Sequence, residues 1–173
     1  STSRGLGDVY KRQGIKERSL VLLVTPRCVE QIELMLTFFS LNIAYCNIDF
    51  NEKKTRIGHI ISNSRPQYII TTAEKAKEFD LENYFVCGRY DALNIYCCKE
   101  ESPLFDEDVS YVLYTSGTTG VPKGVVIGKE AAYNFIFSIK EIMISEDNGK
   151  IMLNTAFNFD ISFLESIASF YYG

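Results

Sequence analysis

The chain reads as an α/β layered domain with a largely parallel sheet flanked by helices. Short apolar runs rich in Val, Ile and Leu recur between stretches whose apolar residues fall every three to four positions. The runs are too uniformly apolar for strands with one wet face, and suit strands covered by helices on both faces. Their alternation, strand then helix then strand, is the pattern that parallel crossovers leave in a sequence.

The elements follow in order. Ser19-Leu-Val-Leu-Leu-Val-Thr25 is the first strand. Thr25-Pro26 offers an N-cap and an N1 proline, and a helix is expected over about 28–40 with Val29, Ile32, Leu36 and Phe39 on one face. Residues 43–49 form the second strand. Asn51 is placed to cap a helix carrying Ile57, Ile60 and Ile61, which Ser64-Arg65-Pro66 ends. Residues 67–71 are a third strand. Thr71-Thr-Ala-Glu74 has capping-box spacing and opens a short helix to about Phe79. Strands are expected at 84–87 and 93–98, then a charged connector over 99–108 and a strand at 110–114. After a Gly/Thr loop come a strand at 124–127, a helix over 129–144, a strand at 150–153 and a closing helix over 162–171. Ser162-Phe-Leu-Glu165 again has capping-box spacing.

Composition narrows the class. The 173 residues are 46% hydrophobic, 13% aromatic and 23% charged, enough apolar material for a core and too much for a disordered or fibrous chain. No apolar run approaches the roughly 18–20 residues of a membrane span. A net charge of -4 without a basic stripe argues against a nucleic-acid partner. The five cysteines are odd in number and lack C-x-x-C spacing, and His59 is the single histidine, so neither a disulfide framework nor a metal site is assigned. The cysteines read as small core residues of a reducing, cytoplasmic setting. The chain starts at Ser1 and stops after the apolar run Ile167-Ala-Ser-Phe-Tyr-Tyr172, which reads as a fragment of a longer protein. Residues 1–13 lack a period and read as a non-native linker or adapter translation, with 14–173 as the native part.

The chemistry sits in Tyr111-Val-Leu-Tyr-Thr115-Ser116-Gly117-Thr118-Thr119-Gly120-Val-Pro122-Lys123-Gly124. Glycines let successive backbone N–H groups turn toward one anion, hydroxyls add donors of adjustable direction, and Lys123 adds a point charge. That inventory suits a polyphosphate. It is not a Walker A loop, because no Ser or Thr follows the lysine and no helix starts there. A ligand-free turn between two strands accounts for glycine and threonine but not for this order of residues.

Thr-Ser-Gly-Thr-Thr-Gly-x-Pro-Lys-Gly resembles the signature of the adenylate-forming (AMP-binding) superfamily, matching it at nine fixed positions. The resemblance implies a partial large N-terminal domain of the adenylate-forming fold. It implies that Thr115, Ser116, Gly117, Thr118, Thr119, Gly120 and Lys123 hold the phosphates of ATP with Mg2+. A substrate carboxylate then attacks the α-phosphorus, pyrophosphate leaves, and a thiol takes the acyl group. Downstream, Phe159-Asp160-Ile161-Ser162 resembles the F-D-x-S motif of amino-acid-activating members. By that likeness Asp160 pairs with the substrate ammonium, an ion pair that a partly desolvated carboxylate favours. A plain helix-flanking acid is the alternative for Asp160. Phe39-Ser-Leu-Asn-Ile-Ala44-Tyr45-Cys46-Asn47-Ile48-Asp49 is similar to the family's L-K-A-G-x-A-Y-x-P-I-D segment, with Asn42 and Ile43 where glycine is usual and Asn47 for the proline. At Gly128-Lys129-Glu130 many members carry a His that is missing here.

The resemblance covers about 19–173 and points to an adenylation domain of nonribosomal peptide synthetase type. Its implied partners are an amino acid and the phosphopantetheine of a carrier domain. The family's adenine-contacting motif, ribose-binding Asp and catalytic Lys fall beyond Gly173, so the chain alone is expected to be inactive. A D-alanine:carrier-protein ligase, an acyl-CoA synthetase and an inactive α/β binding module are the alternatives.

Overall fold

The computed structural model describes residues 15–105, 108–116, 121–139 and 152–172. Its strands are β1 (Leu20–Val24), β2 (Ala44–Asn47), β3 (Tyr68–Thr72), β4 (Tyr84–Tyr90), β5 (Leu93–Cys98), β6 (Val109–Ser116) and β7 (Pro122–Gly128). Its helices are α1 (Val29–Ser40), α2 (Lys54–Ser64), α3 (Ala73–Ala76) and α4 (Lys129–Ser138). A last helical stretch comprises α5 (Ile161–Phe163), a π-helical turn (Leu164–Ala168) and α6 (Ser169–Tyr172).

The strands form one sheet in the order β4-β5-β3-β1-β2-β6-β7. The centre is parallel, with β1 pairing β2 and β3, and β2 pairing β6. Both edges are antiparallel hairpins, β4–β5 and β6–β7. Their connections are too short for the crossover that parallel pairing needs.

β1 shows why its sequence has no polar alternation. Val21 and Leu23 pack with Leu34, Met35 and Phe38 of α1, while Leu20, Leu22 and Val24 pack with Ile57 and Ile60 of α2. Both faces are covered, as in other sheets with parallel crossovers. The chain steps from β1 to β2 on one side, then crosses back to β3 on the other. Right-handed crossovers therefore send α1 and α2 to opposite faces. The loops after β1 and β2 diverge and open a crevice at the carboxyl edge of the sheet, where ligands of such sheets bind.

Several local expectations give way to tertiary demands. Thr25 does not cap α1, which begins at Val29 after Cys28. Asn51 does not cap α2, and its N–H instead goes to the Asp49 carboxylate at 2.8 Å. The cap of α3 is Thr72, whose hydroxyl accepts from the Lys75 N–H at 3.2 Å. Thr71 donates its own hydroxyl to the Val24 carbonyl at 2.7 Å. Met152 and Leu153 lie in irregular backbone rather than in a strand. Helix α4 is described to Ser138; 140–144, residues 150–151 and residues 1–13, expected above to be a linker, lie outside the described residues.

Two of the departures from the resembling segments meet. Asn42 has φ 55°, the left-handed conformation that glycine or asparagine accepts most readily. Its side-chain carbonyl accepts a hydrogen bond from Lys129 Nζ, and that ammonium lies 5.4 Å from the Phe39 ring centroid.

Cys46 is fully buried, and burial pushes its thiol up to about 12. At pH 8 iodoacetamide is expected to leave native Cys46 unmodified and to label it in urea; labelling of the native protein would contradict the packing. The unfolded thiol ionises at about 8.5, so the native state holds the extra proton. The stability tied to this group is complete below that value and declines as pH rises toward 12.

Candidate active site

β6 and β7 form the mouth of the Gly/Thr loop. Thr115 stands opposite Lys123, and Ser116 opposite Pro122. Opposed residues of an antiparallel pair share a face, so the exposed Thr115 and Lys123 side chains stand together at the loop's base. Gly117, Thr118, Thr119 and Gly120 lie outside the described residues. Because β6 runs parallel to β2 and β1, the loop leaves at the carboxyl edge, beside the crevice.

The mouth is braced from α2. Arg56 donates from Nη2 to the Tyr114 carbonyl at 3.3 Å, while its Nε pairs with Glu52 at 3.1 Å. The Tyr114 hydroxyl donates to Asn63 Oδ1 at 2.7 Å. This holds the Tyr114 ring across its ladder partner Gly124, where an added Cβ would come within 3.1 Å of the ring. A tethered ring cannot easily yield. Gly124→Ala is therefore expected to lower stability by about 1 kcal/mol, read as a lower urea midpoint; an unchanged midpoint would show that the ring moves freely.

Asp160 sits immediately before α5, its Oδ1 accepting the Ile161 N–H at 2.8 Å and its side chain exposed. It lies within electrostatic reach of Tyr111. Burial first, and then the Asp160 charge, push the Tyr111 hydroxyl up to about 12. The Tyr111 ring is stacked on Phe163 at 4.9 Å between centroids. Tyr111, Leu113 and Thr115 alternate onto one face of β6, the face covered by α1. Asp160 and the Thr115–Lys123 pair thus occupy one face of the sheet. The strand from Tyr111 to Thr115 spans about 13 Å.

The crevice is a cleft of about 300 Å³ lined by Thr25, Arg27, Asp49, Phe50, Phe157 and Asn158, among others. Thr25 Oγ1, Gln31 Oε1 and Asn158 Oδ1 are buried there without a hydrogen-bond partner among the described residues. Polar lining of this kind suits water or a polar ligand. Among the described residues no cluster of His, Cys, Asp or Glu converges as a metal site, and no helix is long and apolar enough to cross a membrane.

Ser162 is not an N-cap. It is the second residue of α5, buried, and its hydroxyl donates toward the Phe159 carbonyl at 2.6 Å and the Phe157 carbonyl at 3.1 Å. Glu165 accordingly does not close a box with it, but reaches back to residues 154–155. Sequence reasoning also passes over Arg27. It donates to the Leu153 carbonyl, 126 residues away, a separation that leaves no local pattern to read.

A family model described as AMP-binding enzyme matches residues 3–173. A linear gramicidin synthase of Brevibacillus parabrevis is 31% identical over 163 residues, 92% of this chain. A dimodular nonribosomal peptide synthase of Bacillus subtilis (strain 168) is 32% identical over 161 residues, 88% of this chain. The chain spans only 3% and 7% of those two proteins. Among solved structures, a four-domain nonribosomal peptide synthetase bound to AMP and glycine superposes with a TM-score of 0.72 at 24% identity, covering 99% of this chain and 13% of that one.

Proposed function

The chain belongs to the AMP-binding enzyme family, and from that premise we propose that it forms part of an amino-acid adenylation domain. The observation that carries the reading is the pairing of Thr115 with Lys123 at the mouth of the loop, on the same face as Asp160. ATP is the co-substrate. Its phosphates lie against the loop, where amides, hydroxyls of Thr115, Ser116, Thr118 and Thr119, and the Lys123 ammonium neutralise charge. Phosphoryl-type transfer needs mainly such positioning and neutralisation. Mg2+ would arrive with the triphosphate and help to neutralise its charge, and the oxygen donors of the loop, Thr115 and Ser116 among them, would be the residues to hold it.

Asp160 holds the substrate ammonium, so the carboxylate of the amino acid is presented toward the α-phosphorus. Its oxygen attacks, the bond to the β-phosphate oxygen breaks, and pyrophosphate leaves an aminoacyl-adenylate. The acceptor is the phosphopantetheine thiol of a carrier domain, which takes the aminoacyl group as a thioester while AMP leaves. The 173 residues by themselves are expected to show no measurable turnover, and the working setting is cytoplasmic.

The test is amino-acid-dependent exchange of labelled pyrophosphate into ATP by the full-length protein. Exchange with one amino acid and with no fatty acid supports the reading. Exchange driven by fatty acids alone points to an acyl-CoA synthetase, and exchange with D-alanine alone to a D-alanine:carrier-protein ligase. Absence of both exchange and ATP binding leaves a binding module.

A further inference from the structure

The segment that carries Phe159 and Asp160 is irregular from residue 152 to 160, so no ladder or helix of its own fixes it. Two charged side chains take that task. Arg27, in the loop between β1 and α1, donates from Nη1 to the Asn154 carbonyl at 3.0 Å and from Nη2 to the Leu153 carbonyl. Its guanidinium lies over the Phe157 ring, 5.3 Å from the centroid. From the other side Glu165 accepts from the Asn154 N–H at 3.0 Å, the Thr155 N–H at 2.8 Å and the Thr155 hydroxyl at 2.7 Å. A cation thus holds the carbonyls and an anion the N–H groups of one short strap.

The two grips support each other. Burial works against the Glu165 carboxylate, but the bonds from Thr155 and Asn154 and the field of Arg27 outweigh it and keep the carboxyl below its usual range. Little slack separates the strap from Asp160. The Phe159 N–H closes a turn onto the Ala156 carbonyl at 3.0 Å, the Ser162 hydroxyl ties the Phe157 and Phe159 carbonyls, and the Phe163 N–H reaches the Asp160 carbonyl at 2.9 Å. A shift at residues 153–155 therefore moves the carboxylate of Asp160.

We propose that Arg27 and Glu165 are positioning residues for the amino-group end of the substrate: they set where Asp160 presents its carboxylate without touching substrate themselves. This rests on the adenylation reading above. Arg27 is exposed and lies outside the hydrophobic core, so its loss acts on the strap more than on the fold.

In the full-length protein, Arg27→Ala and Glu165→Gln are expected to raise KM for the amino acid about tenfold, with KM for ATP and kcat within about threefold of wild type. Arg27→Lys keeps the charge but not the planar fork, and is expected to leave most of the defect in place. An unchanged amino-acid KM in both Arg27→Ala and Glu165→Gln overturns the proposal. So does a defect that falls equally on ATP and kcat, which marks a purely structural role. A second readout does not depend on activity. In the full-length protein, Arg27→Ala is expected to speed chymotrypsin cleavage after Phe157 and Phe159 about tenfold, with other sites unaffected; unchanged cleavage there overturns the strap. Wild-type protein without amino-acid-dependent exchange removes the adenylation reading, while the cleavage result still decides the strap.

Discussion

Lys123→Ala in the full-length protein is expected to slow amino-acid-dependent pyrophosphate exchange by about a hundredfold, the usual scale for removing one donor aimed at developing charge. The charge on the leaving pyrophosphate grows during the reaction, so a cation at the loop is worth more in the transition state than in the bound ATP. Lys123 is exposed at the start of β7, opposite Thr115. Its removal takes nothing from the core, and the urea midpoint should shift by less than about 0.5 kcal/mol equivalent. A Thr118→Ala, Thr119→Ala double variant should act in the same direction through lost hydroxyl donors. If exchange is unchanged in both variants, the loop does not serve the phosphates.

Asp160→Ala is expected to raise KM for the amino acid by about a hundredfold while KM for ATP moves less than about threefold, because a lost charge-assisted partner weakens only the substrate that carries the ammonium. Asp160 also caps the Ile161 N–H at 2.8 Å, and loss of a cap costs about 1 kcal/mol. Asp160→Asn separates the two roles. Asparagine keeps an acceptor for the cap but carries no charge, so it should match Asp160→Ala in substrate affinity while retaining stability. Wild-type-like amino-acid use by Asp160→Asn would reduce Asp160 to a helix cap.

The sequence is most legible where one physical demand dominates. β1 is apolar throughout because α1 and α2 cover its two faces, and that burial leaves an unmistakable run. Gly124 belongs to a recognisable order of residues and has a spatial reason in the Tyr114 ring. Legibility fades where a side chain answers to a distant partner. Thr71 looks like half of a capping box, yet the Val24 carbonyl of the neighbouring strand takes its hydroxyl. Glu165 looks like the other half of a cap for Ser162, but residues 154–155 need an acceptor more. Met152 and Leu153 follow Ile151 as an apolar run, which reads as a strand, yet Met152 is 77% exposed in a segment gripped by Arg27. The antiparallel edges escape the alternation rule too, because hairpin pairing depends on connection length rather than on hydrophobic pattern. For the candidate site, the residues proposed for the phosphates and Asp160 are singled out by order and spacing, whereas the braces Arg56, Arg27 and Glu165 emerge only in three dimensions.

The most direct measurement is amide hydrogen exchange of the full-length protein with and without Mg-ATP, followed on the peptide that spans residues 115–123. Slower exchange in that peptide, saturating with nucleotide and lost in Lys123→Ala, is the predicted result. Identical exchange with and without nucleotide, in a protein whose other peptides show that ATP has bound, would contradict the assignment of this loop to the phosphates.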